Sequence, residues 1–109
     1  MRTVLGDVTF RFLVDTGADF SLVPRRLAQQ TGLDWEGLPA AEFSGVGQGA
    51  VPARLGPLRL RLGGIELTVR CLFANVPSAL FILGRADFLD RFRLTVDTHQ
   101  SLITLTDLT

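Results

Sequence analysis

Phe12-Leu13-Val14-Asp15-Thr16-Gly17-Ala18-Asp19 sets one acid on a tight glycine turn at the end of an apolar run. Gly17 lets the chain fold back so closely that backbone amides can approach the Asp15 carboxylate, and the Thr16 hydroxyl can hydrogen-bond across to a neighbour. More apolar sequence, Phe20 to Val23, follows where a surface loop would be polar. An acid framed in this way is poorly solvated and held at a fixed angle. Activating a water with carboxylates takes two of them close together, one ionised to accept a proton and one protonated to donate it. The chain offers one convincing copy, so the stretch reads as half of a site.

Outward from that turn, strand signals dominate. Apolar or alternating runs stand at Thr3-Leu5, Val8-Val14, Leu58-Leu62, Ile65-Phe73, Arg93-Val96 and Leu102-Leu105, separated by Gly, Pro, Asp and Asn. The fold class is all-β, with residues 1–109 forming one domain. Gly6-Asp7 and Gly63-Gly64 read as hairpin turns, where positive φ must be tolerated. Helix is expected only over Pro24 to about Thr31, opened by proline and closed by Gly32, and over a shorter piece from about Ala86 to Arg91. Between Asp34 and Gly56, Gly37, Gly45, Gly47, Gly49, Gly56, Pro39 and Pro52 punctuate the chain too heavily for a central strand.

A second Asp-Thr pair, Val96-Asp97-Thr98-His99, also follows a strand, but His99 stands where the first copy has Gly17. The strand pattern resumes at Leu102, so Asp97 reads as the first residue of an ordinary β-turn. It is not the missing acid.

Bulk properties narrow the partners. Eleven basic and eleven acidic residues balance in 109, which leaves no electrostatic footprint for nucleic acid or an anionic membrane. A hydrophobic share of 47% is high for a small monomer, and a subunit interface would absorb the excess. The single Cys71 excludes an intrachain disulfide and reads as a small buried hydrophobe. His99, the one histidine, has no second histidine or cysteine nearby, so neither a metal cluster nor a Cys-His nucleophile is expected. No signal peptide or membrane-length apolar run is visible. A reducing compartment, the cytoplasm, fits best, whether the chain is whole or an excised domain.

Two further motifs stand downstream. Phe43-Ser44-Gly45-Val46-Gly47-Gln48-Gly49 is a glycine-rich stretch without the Lys-Ser/Thr or strand-loop-helix frame of a phosphate loop. Leu80-Phe81-Ile82-Leu83-Gly84-Arg85 is an apolar run closed by Gly and Arg.

Taken in order, Leu13-Val14-Asp15-Thr16-Gly17-Ala18 and Leu80-Phe81-Ile82-Leu83-Gly84-Arg85 make the chain resemble the retropepsins, the retroviral-type aspartic proteases, from about Val4 to Leu105. The resemblance implies a closed barrel or sandwich of short strands with a flap hairpin and one or two short helices, one lobe per chain. It implies an aspartic endopeptidase that needs no cofactor or metal, with Asp15, Thr16 and Gly17 catalytic and the Asp15 dyad completed across a homodimer twofold axis. Residues of about 42–56 become the flap, with Val46 near its tip. Ala18, Asp19, Gly45, Val46, Gly47 and Phe81 become substrate contacts for an extended peptide. Leu83, Gly84 and Arg85 support the site, Arg85 by pairing with Asp19. The sequence departs from relatives just after Arg85, where Ala86-Asp87 replaces an acid or amide directly after the arginine. The alternative reading is a catalytically silent retropepsin-like module for dimerisation or peptide binding.

Overall fold

The structure, a computed structural model, describes residues 2–3, 6–7, 11–44 and 49–108. In chain order its strands are β1 (Arg2–Thr3), β2 (Gly6–Asp7), β3 (Leu13–Val14) and β4 (Ser21–Pro24), followed by α1 (Arg26–Gln30) and a 3-10 turn at Trp35–Gly37. Then come β5 (Ala40–Ser44), β6 (Ala50–Leu62), β7 (Ile65–Ala74) and β8 (Ile82–Leu83), a 3-10 turn at Leu89–Arg91, β9 (Phe92–Asp97) and β10 (Leu102–Asp107). The fold is all-β with little helix.

Six strands form one sheet in the order β3-β8-β4-β7-β6-β5. β3 pairs parallel with β8 and β4 parallel with β7, whereas β4–β8, β6–β7 and β5–β6 are antiparallel. Side chains alternate across a strand, and the core divides accordingly. Val23, Cys71, Phe73, Phe81 and Leu83 join Leu27, Leu58, Val69 and Phe88 on one face. Their neighbours Leu22, Leu72, Ala74 and Ile82 join Ala53 on the other. The second, smaller cluster carries Ala18, Phe20 and Phe43 at its margin.

Several expectations need correction. Gly63-Gly64 does turn β6 into β7, with Leu62 opposite Ile65 and Gly63 at φ +58. Gly6-Asp7, by contrast, is strand, paired with Arg2–Thr3. Of the Val8–Val14 run only Leu13–Val14 is strand among the described residues; Val8, Thr9 and Phe10, like Leu5, lie outside them. The first helix is shorter than expected because Pro24 completes β4 opposite Ala74. Its end is a Schellman arrangement: Gly32, at φ +82, donates to Gln29 O at 3.0 Å and Leu33 to Ala28 O at 2.8 Å. The second helix is a run of turns, since Asp87 at φ +62 cannot continue an α-helix.

The Gly- and Pro-rich stretch does carry strand: β5 and the first seven residues of β6 fall within it, and Pro57 follows in β6. The strand tolerates its prolines because it is flanked on both sides only where its two pairings overlap, at Ala53 and Arg54. Among the described residues Pro52 pairs with β5 alone, opposite Glu42, and Pro57 with β7 alone, opposite Arg70, the one-sided positions where a strand accepts proline. The β5–β6 hairpin runs from Ala40↔Arg54 to Ser44↔Ala50; Gly45, Val46, Gly47 and Gln48 at its end lie outside the described residues.

Asp97 does what a turn residue does. Its Oδ1 accepts from the N–H of His99 at 3.0 Å and of Gln100 at 3.2 Å, closing the β9–β10 hairpin.

Candidate active site

Asp15 follows directly on β3, which the sheet holds by its backbone. Leu13 N–H donates to Phe81 O at 2.8 Å and Asp15 N–H to Leu83 O at 3.0 Å, so the acid is anchored to β8. The chain then reverses: Ala18 N–H reaches Asp15 O at 3.2 Å and Gly17 N–H reaches Asp15 Oδ1 at 2.9 Å. A Cβ on Gly17 would stand 3.3 Å from that oxygen, a tight contact that would press on the carboxylate, while the φ of Gly17 is not left-handed. Asp15 is half-buried and Thr16 and Gly17 are exposed.

The segment after β8 locks this turn from behind. Gly84 packs on the backbone of Phe20, where an added Cβ would lie 2.3 Å from the carbonyl oxygen. Gly84 N–H donates to Ser21 Oγ at 3.1 Å, and Ser21 is fully buried. Arg85 N–H donates to Ala18 O and Ala86 N–H to Asp19 O, both at 2.9 Å. The Arg85 guanidinium is hydrogen-bonded to the Asp19 carboxylate. Exposed ion pairs of this kind stabilise little alone; the backbone bonds set the geometry and the pair adds directionality. Ser21 is one residue that sequence reading missed, and a lone serine inside Phe20–Val23 is the available signal.

The turn opens on a cleft of about 620 Å³ lined by Asp15, Gly17, Ala18, Asp19, Phe20, Leu22, Glu42, Phe43, Leu72 and Ile82. Three carboxylates thus border an otherwise apolar hollow. Phe81 is not among its walls. It is 6% exposed, packed edge-to-face on Phe12 with ring centroids 5.4 Å apart, because alternation along the strand sends Ile82 to the cleft and Phe81 to the opposite core. The expectation that Phe81 faces the cleft is therefore not met; the apolar walls are Phe20, Leu22, Phe43, Leu72 and Ile82. Leu83 is buried in the same core as Phe81 and meets Asp15 through its carbonyl.

Beside the cleft, Asp87 accepts from Arg70 N–H at 3.0 Å, Nε at 2.8 Å and an Nη at 3.3 Å. The side-chain bond from Arg70, followed by the backbone one, holds the Asp87 carboxyl below the usual carboxylate range. The same guanidinium lies 5.7 Å from the Phe20 ring centroid.

No curated protein matches the chain. A retropepsin-like aspartic protease from Rickettsia conorii, known from a crystal structure, is similar in fold, with a TM-score of 0.59 and 22% identity over 94% of this chain and 93% of that one. The sequence profile of the family described as aspartyl protease matches residues 1–86, from the strands before the Asp15 turn to the Gly84-Arg85 segment that braces it. By that match the chain belongs to the aspartyl protease family, and its all-β fold is of the retropepsin-like kind.

Proposed function

We propose that the chain is an aspartic endopeptidase active as a twofold homodimer, with the two Asp15 carboxylates meeting at the axis. The observation that carries this reading is an Asp15 anchored to β8 by its backbone and lining a cleft in which the other two acids are differently placed: Asp19 is bound to Arg85, and Glu42 stands on the hairpin. An isologous dimer places a residue near the axis opposite its own copy. Two carboxylates at hydrogen-bond distance share one proton, the known behaviour of aspartic-protease dyads. The ionised member takes a proton from a water as that water attacks the peptide carbonyl, and the protonated member donates to the carbonyl oxygen. The proton taken from the water then passes to the amide nitrogen as the C–N bond breaks. The other carboxylate recovers a proton from a hydroxyl of the tetrahedral intermediate, leaving an acid, an amine and the singly protonated pair. Neither a metal nor a covalent intermediate is involved.

In this reading Thr16 and Gly17 hold the geometry of the acid, Thr16 by hydrogen-bonding to a neighbour and Gly17 through its N–H. Ala18 and Asp19 contact the backbone of an extended peptide, and the β5–β6 hairpin acts as the flap, with Gly45, Val46 and Gly47 over the substrate. Leu83, Gly84 and Arg85 support the turn. The apolar walls give a preference for hydrophobic side chains. Leu13, Val96, Leu102, Ile103 and Leu108, each at least half exposed, supply apolar surface for a subunit contact. No helix among the described residues is long and apolar enough to cross a membrane, and the buried free Cys71 suits a reducing compartment such as the cytoplasm.

The test is pepstatin-sensitive cleavage of an unfolded protein at mildly acid and neutral pH by the wild type, and its abolition in Asp15→Asn with a folded dimer retained. Undiminished cleavage by Asp15→Asn overturns the mechanism. A dimer that binds pepstatin without cleaving is the silent module instead.

A further inference from the structure

We propose that Arg70 and Asp87 are positioning residues that set substrate selectivity by fixing the Phe20 wall of the cleft. This inference rests on the peptide-cleft reading above. Phe20 is held twice by a single stretch of chain. Its carbonyl is pressed against Gly84, and its ring lies 5.7 Å from a guanidinium that Asp87, three residues later, grips by two hydrogen bonds while a third comes from the Arg70 backbone N–H. Between those two points Arg85 holds Asp19. The segment 84–87 therefore addresses the catalytic turn, the acid beside it and the cleft wall together.

Two observations separate this from an ordinary surface ion pair. Asp87 adopts φ +62, a conformation that costs a non-glycine residue energy and persists where its surroundings dictate it. Aspartate is among the few residues that tolerate it, and here the carboxylate reaches both backbone and side chain of Arg70. The guanidinium, moreover, lies 5.7 Å from the Phe20 ring centroid while its Nε and an Nη donate to Asp87, a double use that suits the planar fork. Register brings this about: Cys71 pairs with Ser21, so Arg70 and Phe20 are the residues just before each. Arg70 also borders a lateral hollow of about 280 Å³ with Leu55, Pro57, Thr68 and Asp87, so Asp87 is what turns its side chain toward the Phe20 ring.

The test uses the full chain and two peptides that differ only in leucine or alanine at one position flanking the scissile bond. The ratio of kcat/KM for leucine over alanine falls about two- to fivefold in Arg70→Met, the size expected of an exposed cation–π contact, with the loss in KM more than in kcat. Arg70→Lys gives an intermediate ratio. In a Phe20→Ala background, Arg70→Met adds no further loss of selectivity. Calorimetric pepstatin affinity is measured on the same four proteins of the cycle and follows the same pattern. An unchanged ratio in a folded Arg70→Met, or equal losses with and without Phe20, overturns the proposal. A wild type that binds pepstatin but cleaves nothing contradicts the peptidase reading alone, since the cycle is then read in Kd; a wild type that does neither overturns both.

Discussion

Gly84 lies flush against Phe20: a Cβ at position 84 would stand 2.3 Å from the Phe20 carbonyl oxygen and 2.4 Å from its carbon. Backbone cannot yield as a flexible side chain can. Gly84→Ala must therefore separate β8 from the catalytic turn, and overpacking of this kind costs roughly 1–3 kcal/mol. Urea unfolding should show that loss, and cleavage should fall by more than the unfolded fraction accounts for.

Ser21 Oγ is the acceptor for Gly84 N–H in a fully buried setting. Ser21→Ala removes the acceptor and leaves a buried donor unpaired, at a cost of about 1–3 kcal/mol. Denaturant midpoints measure it, and Ser21→Ala as stable as wild type would refute the bond.

Legibility followed chain locality. The Asp15 turn, the Gly63-Gly64 hairpin and the Asp97 turn are built from residues within a few positions of one another, and each could be read from its own segment. β4 and β8 could not. Ser21–Pro24 and Ile82–Leu83 are too short for periodicity and are strands because β7 and β3 run beside them. The same limit governed the site: the Arg70–Asp87 grip joins residues 17 apart through a left-handed Asp87 that no local pattern announces. Phe81 was misplaced because an apolar residue beside a glycine motif does not declare which face it takes.

Acid should weaken the Arg70–Asp87 tie. Asp87 has its carboxyl held below the usual range in the folded state, so its contribution is full above the unfolded value of about 3.9 and is lost as pH falls through the folded value. The stability difference between wild type and Asp87→Asn should accordingly be larger near neutrality than in acid. Because the pair is exposed, added salt should shrink it too. A gap that widens on acidification would contradict the sign.

Cys71 is buried, and burial pushes its thiol well above the ordinary value. Reactivity belongs to the thiolate. A thiol reagent should leave the native protein unmodified at neutral pH and titrate one equivalent once denaturant is added. Rapid modification of the native state would place Cys71 elsewhere than in the core.

In the proposed dimer each working site takes one Asp15 from each of two chains, and mixing active and inactive chains exposes that sharing. Wild type and Asp15→Asn are unfolded together, refolded at constant total concentration and assayed on one peptide. If the acids are shared, mixed dimers are inactive and activity follows the square of the wild-type fraction, about a quarter at equal proportions. Activity that falls in simple proportion, to about half, would mean that each chain carries a complete site and would contradict the account.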